Sequence, residues 1–369
     1  MNLLLYWLRD AWARLTRTLD GPLCLALAAL MGIGLAVLYS AGNESPRLVM
    51  AQGVRYAFGI AAMWALSRLP PHRLRNATPA FYALSILPLV AVLLIGSGKH
   101  GNLWINLGVF YFQPSELWKL ALPMMLAWHL DRGPLPPRLQ PVLVAAVLMA
   151  LPIGLILLQP DFGTAMLVAA SGVFVLFLAG LSWWWFAAAA AGVATVAPMA
   201  WFWLLRPYQK DRILTFLNPE SDPMGAGWNI IQSKIAIGGG GLFGKGWGHG
   251  TQSHLDYLPE HTTDFVFAVL SEEFGWVGVA VVLALYLFVI GRCLWIAGQA
   301  RDGYSRLLAG ALGLSLFVYV LVNGGMISGL LPVVGVPMPL LSYGGTAAVS
   351  LLAGMGVVMS IRSHRGVNG

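Results

Sequence analysis

Three carboxylates stand in a short stretch that is otherwise apolar: Asp264, Glu272 and Glu273 in "TTDFVFAVLSEEFGW", residues 262–276. A carboxylate at the wet edge of an apolar run can stay ionised and exchange protons, whereas one set deeper must find a partner. On a helix turning about 100° per residue, Glu272 falls about 80° round from Asp264 and Glu273 about 180° round, each more than roughly 10 Å further along. One pocket cannot take all three. Asp264, nearest water and the bases of the preceding loop, is the candidate for proton chemistry, and Glu272 and Glu273 are expected to pair with other polar groups inside the bundle.

A second charged pair, Glu116 and Lys119 in "QPSELWKL", is spaced three apart and so shares one helix face. Two readings stay open: an ion pair that neutralises itself to ease membrane insertion, or the charged wall of a wet cavity shared with Asp264. "GGGLFGKG", residues 239–246, has the Gly-x4-Gly-Lys opening of a phosphate loop, but Gly246 stands where that loop needs Ser or Thr. No nucleotide is expected. Its backbone could still form a nest for an anion beside Lys245; the alternative is a flexible re-entrant loop. Asp161 in "QPDFG" marks a tight turn, and the seven histidines show no zinc-ligand spacing.

The elements that position these groups are membrane helices. With 58% hydrophobic and 10% charged residues, the chain lies outside the soluble globular range. The expected fold is an all-α polytopic integral membrane protein, a single domain over 1–369. A span needs about 20 apolar residues, and such windows lie near 22–40, 50–67, 79–97, 114–130, 140–158, 162–180, 182–205, 264–291, 306–328 and 344–361. Residues 206–263 form a large loop between spans seven and eight. Arginines gather before span one, after spans two, four and eight, and at the C-terminus; by the positive-inside rule both termini are cytoplasmic and the long loop is extracytoplasmic. Arg55 and Lys119 fall inside spans, where charge is costly and often functional. Residues 1–20 place Leu4, Leu8, Ala11, Trp12, Leu15 and Leu19 apart from Arg9, Arg14 and Arg17, the pattern of an interfacial amphipathic helix. Cys24 and Cys293 sit in or beside apolar runs and are read as packing residues.

Several long motifs then carry a resemblance: "FQPSELWK" (112–119), "QPDFGTA" (159–165), "NPESDPMGAGWNIIQSKIAIGGGGLFGKGW" (218–247), "GTQSHLDYLPEHTTDFVFAVLSEE" (250–273) and "GLLPVVGVPMPLLSYGGT" (329–346). Over nearly its whole length the chain resembles the SEDS family of cell-wall polymerases (shape, elongation, division and sporulation), and its RodA branch in particular. Thr262 stands where the family usually has histidine, Thr346 where serine is usual, and Leu103 where an arginine often precedes the tryptophan.

The resemblance implies a peptidoglycan glycosyltransferase of the bacterial inner membrane. Its substrate would be lipid II, a disaccharide-pentapeptide on undecaprenyl diphosphate, and its product a β-1,4 glycan strand made during cell elongation. Asp264 would be the general base that takes the proton of the acceptor's 4-hydroxyl. The leaving diphosphate calls for cations, and Arg206, Arg212, Lys234 and Lys245 are outward-facing candidates. Glu116, Lys119, Asp161 and Ser342 of "SYGGT" complete the cavity candidates. A divalent cation, magnesium or manganese, could share the charge as a Lewis acid. Expected partners are a class B penicillin-binding protein and other elongation-complex proteins, with no nucleic acid. A lipid II flippase and a scaffold for the penicillin-binding partner are the competing readings; the paired, internally repeated halves of many carriers are not apparent.

Overall fold

The computed structural model describes residues 16–97, 103–106, 108, 111–203, 207–222, 226–251 and 262–364. Its helices are α1 Gly21–Ala41, α2 Pro46–Ser67, α3 Pro71–Ile95, α4 Ser115–Leu130, α5 Leu139–Leu158, α6 Phe162–Leu178, α7 Trp183–Trp203, α8 Pro207–Leu217, α9 Ala226–Gly240, α10 Val266–Gly298, α11 Gly303–Ile327 and α12 Thr346–Ser363. A small antiparallel ribbon, β1 Ile105–Asn106 with β2 Tyr111–Phe112, precedes α4. The amphipathic stretch predicted for 1–20 lies outside the described residues up to residue 15.

A helix occupies each of the ten predicted windows. Among the described residues, seven helices (α1, α3, α5, α7, α10, α11 and α12) are long and apolar enough to cross a bilayer. The other three fall short for visible reasons. α2 carries Arg47 and Arg55, α4 has 16 residues and includes Glu116 and Lys119, and α6 has 17. α11 is central, packing against α10, α6, α4, α12 and α9, while α12 pairs with α2. At the other extreme α7 buries none of its apolar window. Exposed Trp183, Trp184, Phe202 and Trp203 stand at its two ends, the placement of aromatic belts on a lipid-facing helix.

Two expectations need correction. The eighth window, read as one run over 264–291, is a helix that starts at Val266, ends at Gly298 and is broken at Gly275, whose φ of 62° and ψ of −161° are not helical. The segment 206–263 is not simply a loop, since α8, a 3-10 turn at Pro219–Ser221 and α9 lie within it.

The glycine-rich stretch after α9 explains how the break is tolerated. In an unbroken helix the N–H groups of Trp276 and Val277 would bond to the carbonyls of Glu272 and Glu273. Here they donate instead to Gly241 O at 2.9 Å and Leu242 O at 3.1 Å, and the orphaned carbonyls accept Lys245 N–H at 2.9 Å and Gly246 N–H at 3.0 Å. All four groups released by the kink are satisfied by one neighbouring backbone. Approach this close needs glycine: a Cβ on Gly244, at φ +80°, would overlap the Glu273 carbonyl. The anion nest considered for this segment is thereby spent, because the Lys245 and Gly246 N–H groups face α10.

At the far end of the bundle, fully buried Asp20 ties three helices together. Its carboxylate caps α1 through Leu23 N–H at 2.9 Å and meets Arg292 of α10 and Arg362 of α12, each at 2.8 Å. Burial pushes its carboxyl pKa up, but the Arg292 hydrogen bond, the Leu23 N–H and the charges of Arg362 and Arg292 outweigh that and hold it below the ordinary value. With a depressed folded pKa, the lock contributes fully above the unfolded value of about 3.9 and is lost as pH falls through the folded value. Melting temperature is expected to fall on acidification below about pH 4. Asp20→Asn should cost about 1–3 kcal/mol at pH 7, discounted because the arginines reach solvent, and should flatten that acid slope. A mutant curve running parallel to wild type would remove the lock from this account.

Candidate active site

Asp264 lies in the turn 262–265 just before α10, half-buried. Its position is set through its own backbone: Asn323 Nδ2, on α11, donates to Asp264 O at 2.9 Å and to Val336 O at 2.8 Å. Asn323 is fully buried, so one amide joins the Asp264 turn to the segment following α11. Tyr343 N–H donates to Thr262 O at 2.9 Å, a second join between the same two segments. A Cβ on Gly335, whose φ is +72°, would stand 3.5 Å from Asp264 Oδ2; the carboxylate faces that glycine.

The segment 329–345 is irregular backbone folded into the bundle, with Val336, Met338, Leu340, Leu341 and Ser342 buried. Non-helical backbone at such a place must have its polar groups answered by protein or water. Tyr56 OH donates to Leu340 O at 2.7 Å, Tyr286 OH to Pro339 O, and Gln52 Nε2 to Ser342 O at 3.4 Å. Ser342 Oγ accepts Met338 N–H at 2.9 Å, so this candidate holds the shape of the wall.

Below this wall Lys119 Nζ donates to Glu116 Oε1 at 2.5 Å, Ser350 Oγ donates to Glu116 Oε2 at 2.7 Å, and Lys119 sits 5.0 Å from the centre of the Tyr319 ring. Ser315, Tyr319 and Asn323 follow at four-residue intervals on α11 and share a face, linking the ion pair to the Asp264 turn. Two adjoining clefts lie along that face. Pro337, Met338, Ser342 and Gly344 line one, Lys119, Ser315 and Ser350 the other, and Tyr319 and Leu351 both. Asp161 caps α6 through Thr164 N–H at 3.0 Å and accepts from Gln113, just before α4, at 3.0 Å. A Cβ on neighbouring Gly163 would press on Val334 O, so the start of α6, which Asp161 caps, abuts the same wall.

The remaining candidates are placed elsewhere. Lys245 is committed to fully buried Glu272 at 2.6 Å, which also accepts from Thr251 Oγ1 and N, each at 2.9 Å. Glu273 accepts from Ser40 of α1. Lys234 is exposed on α9 with its ammonium end over Gly329, and Arg212 is half-buried on α8. Arg206 lies outside the described residues, as do 252–261 of the motif before Asp264. No three His, Cys, Asp or Glu side chains among the described residues converge on a cation. Sequence reasoning missed Asn323, Tyr319 and Ser350. Asn323 carried a usable signal, because a lone amide in an apolar span is expensive and is retained where it bonds.

The family model described as FtsW/RodA/SpoVE, a cell cycle protein, matches residues 21–366. The peptidoglycan glycosyltransferase MrdB of Escherichia coli K12 is 49% identical over 94% of each chain. The peptidoglycan glycosyltransferase RodA of Treponema pallidum is 34% identical over 94% of this chain and 98% of its own. Among solved structures, a chain from a peptidoglycan synthase complex superimposes with a TM-score of 0.84 at 32% identity, covering 95% of this chain and 99% of that one. The Thermus thermophilus rod shape determining protein RodA gives 0.73 at 30% identity, covering 95% and 98%. With sequence and fold matching from α1 to the end of α12, this chain belongs to the FtsW/RodA/SpoVE family of cell cycle proteins.

Proposed function

We propose that this chain is a peptidoglycan glycosyltransferase that polymerises lipid II in the bacterial inner membrane, with Asp264 as general base. One observation carries the residue assignment: Asp264 is fixed through its main chain by Asn323, which leaves its carboxylate facing Gly335 of the cleft-lining segment 329–345. In the reaction the acceptor's 4-hydroxyl oxygen bonds to the donor's anomeric carbon as the bond to the diphosphate breaks. The hydroxyl proton passes to Asp264 and the electron pair leaves on the diphosphate. Positioned base catalysis of this kind contributes about 10²–10⁴-fold. The apolar bundle keeps the lipid tail in the bilayer while the sugars reach the edge where the aspartate stands.

In this function the chain would cross the bilayer ten times, with cytoplasmic termini and an extracytoplasmic 206–263 segment. The arginine-rich connections support that orientation, and Asp20 with its two arginines would then lie on the cytoplasmic side. A class B penicillin-binding protein is the proposed partner, in keeping with the likeness to a chain of a peptidoglycan synthase complex.

The test is purified protein with its penicillin-binding partner and lipid II in detergent, where no transport can occur. Glycan strands resolved on a gel are the expected product; well-folded protein that makes none would return the advantage to a flippase. Magnesium or manganese enters this reading only as a counter-ion carried by the diphosphate. Chelation with EDTA is expected to slow strand growth, and an unchanged rate would take the ion out of the proposal.

A further inference from the structure

Arg55 is a cation the mechanism has not used. It lies within α2, roughly 14 Å along the helix from the Pro46 end, where an arginine is costly unless something answers its charge. Among the described residues no carboxylate forms an ion pair with it. Its partners are neutral: Nη1 donates to Gln52 Oε1 at 3.3 Å and Nη2 to Tyr343 OH at 3.0 Å, and the guanidinium stacks 4.0 Å over the Tyr343 ring.

These contacts aim the group without exhausting it. A guanidinium has five N–H donors in a fixed fork. Gln52, itself fully buried, is held by Ser342 O and Gly344 N–H, each at 3.4 Å, so the fork is preorganised against the "SYGG" turn. That turn supplies Ser342 and Gly344 to the cleft shared with Tyr319. On the other side of Arg55, Val54 and Phe58 are exposed at 55% and 67%, an apolar face suited to lipid. The arginine thus stands at the seam between bilayer and cleft.

We propose that Arg55, with Tyr343 and Gln52 holding it, binds the phosphate groups of a polyprenyl diphosphate that enters sideways from the bilayer. The tail would lie along Val54 and Phe58 while the sugars reach toward the cleft lined by Ser342 and Gly344. A planar fork that meets phosphate oxygens in pairs suits that group better than a point charge does. The proposal rests on the polymerase reading for the identity of the substrate but not for the existence of the anion site. An anionic phospholipid offers the same headgroup chemistry, so the probes must separate the two.

Full-length protein in nanodiscs would be titrated with undecaprenyl diphosphate and, separately, with phosphatidylglycerol, using wild type, Arg55→Gln and Arg55→Lys. Arg55→Gln is expected to weaken undecaprenyl diphosphate binding about 10–100-fold and to raise KM for lipid II more than it lowers kcat. Arg55→Lys should recover part of the affinity, and its melting temperature guards against misfolding as the cause. Equal diphosphate affinity in wild type and Arg55→Gln would overturn the site, as would a loss confined to phosphatidylglycerol. Wild type that makes no glycan yet binds the diphosphate through Arg55 would sink the polymerase reading and leave the site standing.

Discussion

Asp264→Asn is expected to slow glycan polymerisation by about 10²–10⁴-fold with the melting temperature unchanged. Asp264 has two separable functions, one in its main chain and one in its side chain. Asn323 holds the Asp264 main-chain carbonyl, and that bond does not involve the side chain being changed, so the turn and the segment 329–345 stay in register. The amide matches the carboxylate in size but cannot accept the acceptor sugar's proton. Lipid II affinity should change little, because the contribution removed is one made as the proton transfers. A variant that built strands at the wild-type rate would remove Asp264 as the base, and a rate lost only in step with stability would reduce it to a structural residue.

The second large effect concerns Glu116 and Lys119, whose side chains are 6% and 13% exposed. Removing one member of a buried pair leaves the other without compensation, which typically costs about 3–5 kcal/mol. Lys119→Met alone and Glu116→Gln alone should therefore each lower the melting temperature strongly. The double variant should recover most of that loss, because two uncharged side chains leave no unpaired buried charge. Stability alone cannot tell an insertion device from a working part. Lys119 lines a cleft that shares Tyr319 with the wall beside Asp264, so the double variant is expected to fold and yet polymerise poorly. A stable double variant with full activity would make the pair a packing device and nothing more.

Both experiments depend on a site whose parts differ in how far the sequence revealed them. The three-residue spacing of Glu116 and Lys119 already placed them on one helix face, and they meet at 2.5 Å. The depth of Glu272 points to a polar partner inside the bundle, and the structure supplies one from the glycine-rich segment instead, Lys245. The apolar run from Asp264, however, predicts a helix that begins two residues earlier than the observed one and continues unbroken through Gly275. No periodicity marks that break, because a single glycine such as Gly275 is common in the packed interior of membrane helices.

What the sequence determined by itself is the class of protein and its local pieces. Apolar windows of bilayer length demand helices, since lipid offers no other partner for backbone polar groups, and a helix fills each window. Charge placed along those windows singled out Asp264, Glu116, Lys119 and Arg55. What only the tertiary structure decided is how non-neighbouring backbone meets. The glycine-rich segment splints the kink in α10, Asn323 joins the Asp264 turn to Val336, and the "SYGG" turn stacks Tyr343 on Arg55. The splint is made by main-chain N–H and C=O groups that carry no side-chain signature, and the other two joins each bring a side chain to a partner far away in sequence, so the residues were legible but their partners were not until the chain had folded.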